Sequence, residues 1–112
     1  MFPNQMAATS GLLKPTSDAN EDVRDWAVFG LGVQSDADSP EIREALLRCV
    51  DDPNEDVREE AAVGLGKRQE ARFLPKLFSM LEDPVLKLRV AEAASFMLGL
   101  DSDPPDGWRR IT

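Results

Sequence analysis

The sequence predicts an all-α protein built as a stack of helical hairpins. The first observation is an internal repeat: the segment 18–32, DANEDVRDWAVFGLG, is matched at an offset of 34 residues by the segment 52–66. The second is that apolar residues in both copies recur at helical spacing. The third is that each copy opens with Asn-Glu-Asp, a typical start of a helix. Self-similarity at this period is the mark of a repeat architecture.

The second copy predicts a helix that begins after Asn54. The side chain of Asn54 can accept a hydrogen bond from a free amide of the first turn, where Glu55 and Asp56 face the positive end of the helix dipole. Gly66 is expected to end the helix as a left-handed C-cap. One face carries the apolar or small residues Val57, Ala61, Gly64 and Leu65.

The remaining helices follow from the same signals. The first copy predicts a helix over 20–32 and a polar connector over 33–38, and a weaker third copy from Glu82 predicts an apolar helix over 85–100. Between the copies, Ser39 and Pro40 open a second helix, and another runs from 73 to 82 with Pro75 in its first turn. The residues expected to be buried in these two second helices are Ile42, Ala45, Leu46, Cys49 and Val50, then Phe73, Leu74, Leu77, Met80 and Leu81.

The pattern shared by the copies, Asp-x-Asn-x-x-Val-Arg-x-x-Ala-Ala-x-x-Leu-Gly, resembles a HEAT repeat of the short kind also found in phycobilin lyases. The resemblance implies a short right-handed solenoid, an α-α superhelix, in a single domain over 1–112. We expect repeats at about 16–50, 51–81 and 82–100, a partial N-terminal cap at 1–15 and a C-terminal tail at 101–112.

The resemblance also implies a structural ladder of ion pairs. In HEAT repeats of this kind, one arginine of each repeat bridges to an acidic residue in the turn of the neighbouring repeat, and the planar guanidinium suits a carboxylate. The arginines that match are Arg24, Arg58 and Arg89, and the acids are Asp18, Asp52 and Asp83.

The composition argues against several classes of function. The chain has 13 basic and 21 acidic residues, a net charge of −8, and no histidine. Binding to nucleic acid rests on clustered Lys and Arg, so we expect no nucleic-acid partner. The commonest general base and metal ligand is missing, so we expect no catalysis, cofactor or metal. The acidic pairs 51–52 and 59–60 are expected to be solvated surface charge, and Asp101-x-Asp103 lacks the glycine and distal glutamate of a calcium loop.

The remaining composition points to a cytoplasmic protein. Cys49 is the single cysteine, so an intramolecular disulfide is impossible, and its place on an apolar helix face predicts a buried thiol. The N-terminus does not resemble a signal peptide, and no apolar stretch approaches the roughly 20 residues of a membrane span.

Two groups of side chains are candidates for binding a partner. Trp26 and Phe29 lie three residues apart on one helix, so they are either covered by the N-terminal segment through Met6, Leu12 or Leu13, or exposed as an aromatic patch. The second group is expected on the inner face of the stack, where Leu47 and Phe78 either form an apolar strip or pack between repeats. Its members are Arg43, Leu47, Arg48 and Phe78.

The last predicted helix is more apolar than a terminal repeat should be, because no further repeat covers it. Either the tail covers it through Trp108 and Ile111, or a second copy of the chain does so in a homodimer.

These observations favour a non-enzymatic interaction or scaffold module. We expect it to bind a protein or peptide on its helical-repeat surface, and the acidic balance favours a basic partner. The alternative is an accessory or regulatory subunit of an enzyme, of a lyase-type or chaperone-like kind. No residue pattern marks a tetrapyrrole pocket.

Overall fold

The computed structural model describes residues 11–83 and 88–99, and all regular structure within these ranges is helical. This confirms the prediction of an all-α fold. None of the described helices is long and apolar enough to cross a membrane. In chain order the elements are a 3₁₀ turn at Lys14–Ser17, α1 at Glu21–Val28, a π-helical segment at Phe29–Gln34, α2 at Pro40–Cys49, α3 at Glu55–Lys67, a 3₁₀ turn at Ala71–Phe73, α4 at Leu74–Leu81 and α5 at Leu88–Met97.

The predicted helix starts are confirmed by their capping hydrogen bonds. Asn20 Oδ1 accepts the amide N–H of Asp22 at 2.7 Å, and Asn54 Oδ1 accepts that of Val57 at 3.1 Å. Ser39 caps α2 in the same way from its hydroxyl oxygen, at 3.2 Å. Each cap satisfies a backbone donor that has no partner inside the helix. Helix starts are therefore encoded within a few residues of chain.

The predicted end of α3 at Gly66 was wrong. The helix continues to Lys67, and the left-handed backbone conformation occurs at Gln69, with φ of 51°. A Cβ atom at Gly66 would stand 2.6 Å from the carbonyl oxygen of Ala93. The glycine is therefore placed for close packing of α3 against α5 and does not end the helix.

The first predicted helix, over 20–32, also differs from the structure. The α-helix ends at Val28, and the chain winds on as a π-helix to Gln34, so part of the expected polar connector is helical. The π-helix brings Gly32 against Gly64 of α3, where an added Cβ would lie 2.8 Å from the Gly32 Cα atom. Backbone therefore contacts backbone between the first and second repeats, which requires small residues on both sides.

The helices form two layers around one core. The first helices stack, with α1 and the π-helical segment against α3, and α3 against α5. The second helices, α2 and α4, pack against α3 and α5 respectively. Contrary to expectation, Leu81 is exposed, while Leu74 and Met80 are partly buried. The largest fully buried side chains are Phe73, Leu31, Ile42, Leu46, Leu65, Val28, Val57 and Val63.

Arg68 is buried in the connection after α3. Its guanidinium donates to backbone carbonyl oxygens at distances from 2.6 to 3.1 Å, and burial lowers its pKa. Helix ends leave carbonyl oxygens without helical partners, and buried ones require donors. Arg68 thus ties the end of the π-helical segment to α3. The acceptors belong to Leu31, Gly32, Ser35, Ala37 and Gly64.

Candidate functional site

An open depression of about 360 Å³ lies in the layer of first helices, and we call it the Trp26 slot. One wall comes from a single helix face that runs along α1 into the start of the π-helical segment. Its four residues are spaced i, i+3, i+4 and i+7, at Asp22, Asp25, Trp26 and Phe29. The other wall comes from α3 and α5, so the slot spans all three repeats. The lining residues are Asp22, Asp25, Trp26, Phe29, Glu60 and Arg89.

Trp26 is the most open aromatic side chain in the slot, with 65% of its surface exposed. Leu12 approaches Gly30, one helical turn farther along, and leaves the Trp26 ring uncovered; Met6 lies outside the described residues. Phe29 is partly buried, and the guanidinium carbon of Arg89 lies 5.9 Å from the centroid of its ring. Trp26 is therefore exposed, whereas Phe29 already has an internal cationic neighbour.

Glu60 contradicts the expectation of a solvated surface charge, because only 5% of the residue is exposed. It occupies the position in the second repeat that Trp26 occupies in the first, and α5 and α1 flank it. Its Oε2 lies 3.0 Å from Arg89 Nη1, while its Oε1 is buried without a hydrogen-bond partner. Burial, aided by the neighbouring Asp25 carboxyl, raises the pKa of Glu60 to about 8, although Arg89 acts in the opposite direction.

Within residues 11–83 and 88–99, no group of three or more His, Cys, Asp or Glu side chains is arranged to hold a metal ion. The pair 101 and 103, considered for calcium, lies outside the described residues. An aromatic face beside carboxyl groups is instead the chemistry that attracts a positively charged organic group.

Arg43, one of the predicted contact residues, is held by internal ion pairs. Its guanidinium donates to Asp38 at 2.6 and 2.8 Å and to Glu70 at 3.2 Å. The hydrogen bonds from Arg72 to the Glu70 carboxylate, supported by Arg43, lower the pKa of Glu70 to about 2. Arg72 also pairs with Glu44 at 2.5 Å. These side chains form a bracket between the two repeats, so Arg43 is committed to holding the stack together.

The other predicted inner-face residues do not converge on one site. Leu47 is partly buried against the core, whereas Phe78 is 59% exposed. Arg48 is exposed and lines a separate open depression of about 500 Å³, together with Leu13 and residues of the first turns of α2. Phe78 lines neither this depression nor the one beside Arg43. Trp26 and Phe29 share one depression, whereas Arg43 and Arg48 line two different ones among the described residues.

The arginine ladder is present between the first two repeats. Arg24 forms a two-pronged pair with Asp52, at 2.7 Å from Nε and 3.0 Å from Nη2. It also donates to the backbone carbonyl of Asp18, and Arg58 donates in the same way to that of Asp52, at 2.9 Å in each case. The Asp18 side chain caps the amide of its own turn, at Asn20.

Arg89 differs from the other two arginines at the third repeat. Arg89 turns back to Glu60 and Phe29, which departs from the ladder, because its position in α5 faces the slot. Asp83 lies two residues beyond the end of α4 and is exposed.

Cys49 is buried, as the sequence predicts. Its Sγ lies 3.7 Å from the carbonyl oxygen of Thr16, and burial raises the pKa of the thiol to about 11. A thiol needs to ionise to act as a nucleophile, and burial opposes that ionisation. Cys49 therefore serves as a core residue.

Sequence reasoning found Trp26 and Phe29 but missed the acidic part of the slot and Arg68. The spacing of Asp22 and Asp25 relative to the two aromatic residues places all four on one helix face, which was the available signal. The burial of Glu60 and Arg68 has no counterpart in the local pattern, since Glu59 and Glu60 look alike in sequence.

The stacked hairpins and the ladder define the chain as a helical-repeat protein of the α-α superhelix class. More specifically, it belongs to the HEAT repeat family, whose model matches residues 9–99. Among solved structures, YibA of Escherichia coli is similar, with a TM-score of 0.75 and 33% sequence identity over 81% of this chain. The chain spans only 33% of the length of YibA. No curated protein matches the chain significantly in sequence.

Proposed function

We propose that the chain is a non-enzymatic interaction module that binds a protein or peptide at the surface centred on Trp26. The observation that carries this proposal is the 65% exposure of Trp26 beside a depression that spans three repeats. HEAT repeats generally mediate protein–protein interactions, and stacked repeats offer extended surfaces for that purpose. A large exposed aromatic residue supports this use, because tryptophan is enriched among the residues that dominate binding energy.

The slot is also rigid enough to bind without much ordering. Trp26 lies in the last turns of a capped helix, and that helix is fastened to the next repeat by the Arg24–Asp52 pair. Arg68 holds the π-helical segment that carries Phe29 onto α3. A preformed surface loses less conformational entropy on association, which favours affinity.

We also propose that the chain does not act as an enzyme. The sequence contains no histidine, and its single cysteine is a buried core residue with a raised pKa. We expect the module to act by holding a partner, and we expect that partner in the cytoplasm.

The proposal is tested by photo-crosslinking from inside the cell. A benzoylphenylalanine at position 26 should capture a defined partner, and the same group at Phe78, a second strongly exposed aromatic residue among those the structure describes, serves as the matched control. The partner is then purified and its affinity for the unmodified chain and for Trp26→Ala is measured by calorimetry. We expect a loss of at least about 30-fold in Trp26→Ala, as for an aromatic residue of about 2 kcal/mol. Crosslinking from position 78 alone, or equal affinities for the two chains, would contradict the proposal.

A further inference from the structure

The Trp26 slot combines a flat aromatic face with an excess of negative charge. Three acidic side chains line it, Asp22, Asp25 and Glu60, against one basic side chain, Arg89. The whole chain carries a net charge of −8, so the surrounding field also attracts cations. Charge and aromatic surface in one depression favour a planar organic cation over a neutral apolar group.

Glu60 supplies the second, independent sign of a ligand. Only 5% of the residue is exposed, its side chain lines the slot, and its Oε1 has no hydrogen-bond partner. Buried polar atoms nearly always have a partner, and leaving one without costs free energy. Arg89 Nη1 is likewise buried without a hydrogen-bond partner, so the floor of the slot holds an unpaired acceptor and an unpaired donor side by side.

Arg89 is a cation that already contacts both an aromatic ring and a carboxyl group in the slot. Its guanidinium lies over the Phe29 ring and beside Glu60 Oε2, with an aromatic residue on one side and a carboxyl on the other. The larger ring of Trp26 and the carboxyls of Asp22 and Asp25 have no such internal cation among the contacts of the slot. The lining therefore offers a second arrangement of the same kind, open to solvent.

We propose that the Trp26 slot binds the guanidinium of an arginine side chain from a basic segment of the partner, stacked on Trp26 and hydrogen-bonded to the carboxyls of Glu60 and Asp25. Arginine fits better than lysine because its planar group stacks on an aromatic ring and pairs with carboxylates through two donors. This inference rests on the proposed function, since it names the chemistry by which the Trp26 surface recognises its partner.

Binding should be coupled to the ionisation of Glu60. The charged groups that face Glu60 are Asp25 from α1 and Arg89 from α5, with Asp22 at the rim of the slot. In the free chain, burial and Asp25 keep the Glu60 carboxyl protonated up to a pKa of about 8. A bound guanidinium favours the ionised form, so binding at neutral pH releases a proton and affinity increases as pH rises from 6 to 8.5.

The test uses a small probe and the full chain. N-acetyl-arginine methylamide is titrated into the ¹⁵N-labelled protein at low salt, at pH 6 and pH 8.5, and the indole N–H signals are followed by NMR. N-acetyl-citrulline methylamide, which has nearly the same shape without the charge, is the control ligand. Trp26→Ala and Glu60→Gln are the test variants. Phe78→Ala and Glu41→Gln, an exposed aromatic residue and an exposed acid outside the slot, are the control variants.

We expect saturable shifts for the arginine probe at the Trp26 indole, with at least threefold tighter binding at pH 8.5 than at pH 6. The pH dependence should disappear in Glu60→Gln, the shifts should be lost in Trp26→Ala, and both control variants should behave as the unmodified chain. Equal shifts with the citrulline probe, or shifts that persist in Trp26→Ala, would overturn the inference. A partner that crosslinks at position 26 but binds without any arginine would overturn it and leave the proposed function intact. Specific binding of the arginine probe by a chain that captures no protein partner would support this inference and contradict the proposed function.

Discussion

At the scale of single residues, Glu60 and Arg68 are two of the buried charged side chains that distinguish this chain from a simple stack of apolar faces. Glu60 and Arg68 lie eight residues apart, the first in the middle of α3 and the second just beyond its end. The guanidinium of Arg68 donates to several backbone carbonyl oxygens, and these hydrogen bonds compensate its positive charge. Glu60 has one basic neighbour and one acidic neighbour, so its charge is poorly compensated. Arg68 therefore stabilises the fold, whereas the ionised form of Glu60 reduces stability at the proposed site.

Replacing Glu60 by Gln tests this cost. The folded-state pKa of about 8 lies above the unfolded value of 4.5, so Glu60 favours folding at low pH and loses that contribution as pH rises to 8. The amide of Gln stays neutral at every pH. We therefore expect Glu60→Gln to be more stable than the unmodified chain at pH 8.5, by about 1 kcal/mol or more, because one pKa unit corresponds to about 1.4 kcal/mol. The two should be equal within error at pH 4.

The measurement is urea denaturation followed by circular dichroism at both pH values. Glu41→Gln, which removes an exposed acid from α2, should show no such pH-dependent gain. A Glu60→Gln chain that is less stable than the unmodified one at pH 8.5 would contradict the raised pKa.

Replacing Arg68 by Lys tests the buried guanidinium. Lysine keeps the charge but cannot reach the carbonyls of Leu31, Gly32 and Ala37 at once, so several buried acceptors lose their donors. We expect a loss of about 2–4 kcal/mol in the free energy of unfolding, from the unpaired carbonyls. The exposed Arg48→Lys is the matched control and should change stability by less than about 0.5 kcal/mol. Equal stability of the two variants would show that the Arg68 hydrogen bonds are replaceable.

At the scale of elements, α3 is the helix on which the others assemble. It contacts first helices on both sides and α2 in the second layer. Two of its glycines touch the backbone of neighbours, Gly64 at Gly32 and Gly66 at Ala93. These contacts set the spacing of the repeats, because a side chain at either point would force the helices apart.

Gly64→Ala tests that spacing. In an exposed helix, alanine would stabilise by about 1 kcal/mol over glycine. Here the added Cβ would lie 2.8 Å from the Gly32 Cα atom, and neither backbone can yield without moving a helix. We expect a net loss of about 1–3 kcal/mol, measured by thermal denaturation.

Gly11→Ala serves as the control, since a Cβ there meets nothing within 4 Å. It should leave the melting temperature almost unchanged. A Gly64→Ala chain that melts higher than the unmodified one would show that the repeats do not approach as closely as described.

At the scale of the whole molecule, the pKa shifts predict an unusual pH profile. Hydrogen bonds from Arg72 lower the pKa of Glu70 to about 2, so its stabilising contribution is present above 4.5 and is lost as pH falls towards 2. The pKa of Glu60 is raised instead, so the stabilising contribution of Glu60 is lost as pH rises from 4.5 to about 8. Burial raises the pKa of the Cys49 thiol from 9.0 to about 11, so its contribution is lost as pH rises between these two values. We expect the melting temperature to be highest near about pH 5 and to fall on both sides.

A series of thermal melts from pH 2 to pH 10 measures this profile. In Glu60→Gln the decline between pH 5 and pH 8 should become shallower, while the acid side stays the same. A maximum at pH 8 or above in the unmodified chain would contradict the raised pKa of Glu60, and a melting temperature that stays constant from pH 5 down to pH 2 would contradict the lowered pKa of Glu70.

Self-association is the second prediction at this scale. Leu88, the first residue of α5, and Leu98, which follows its last residue, are 85% and 72% exposed, in keeping with the expected excess of apolar surface at the last helix. The alternative cover, Trp108 and Ile111, lies outside the described residues. If α5 forms a homodimer, light scattering over a dilution series should give twice the chain mass of 12.4 kDa, and Leu98→Glu should return the protein to a monomer. A single-chain mass at all concentrations would rule out this use of α5.

The amino-acid sequence by itself determined the features that depend on neighbours a few residues away. Asn20, Ser39 and Asn54 begin helices because a cap needs only its own first turn. The 34-residue repeat predicted the stacked hairpins, and the family pattern predicted the pairing of Arg24 with Asp52. Each of these follows from a local or repeated pattern that can be read along the chain.

Only the tertiary structure decided which polar residues are buried and what the glycines do. Glu60 looks like Glu59 in sequence, and it is buried because α1 and α5 flank its side of α3. Gly66 has the sequence of a helix cap but serves the contact with Ala93, 27 residues farther along the chain. Burial and close approach depend on which helix lies opposite, and no local spacing records that partner. The Trp26 slot was therefore half visible in the sequence, through its aromatic residues, and became complete only when three repeats were stacked.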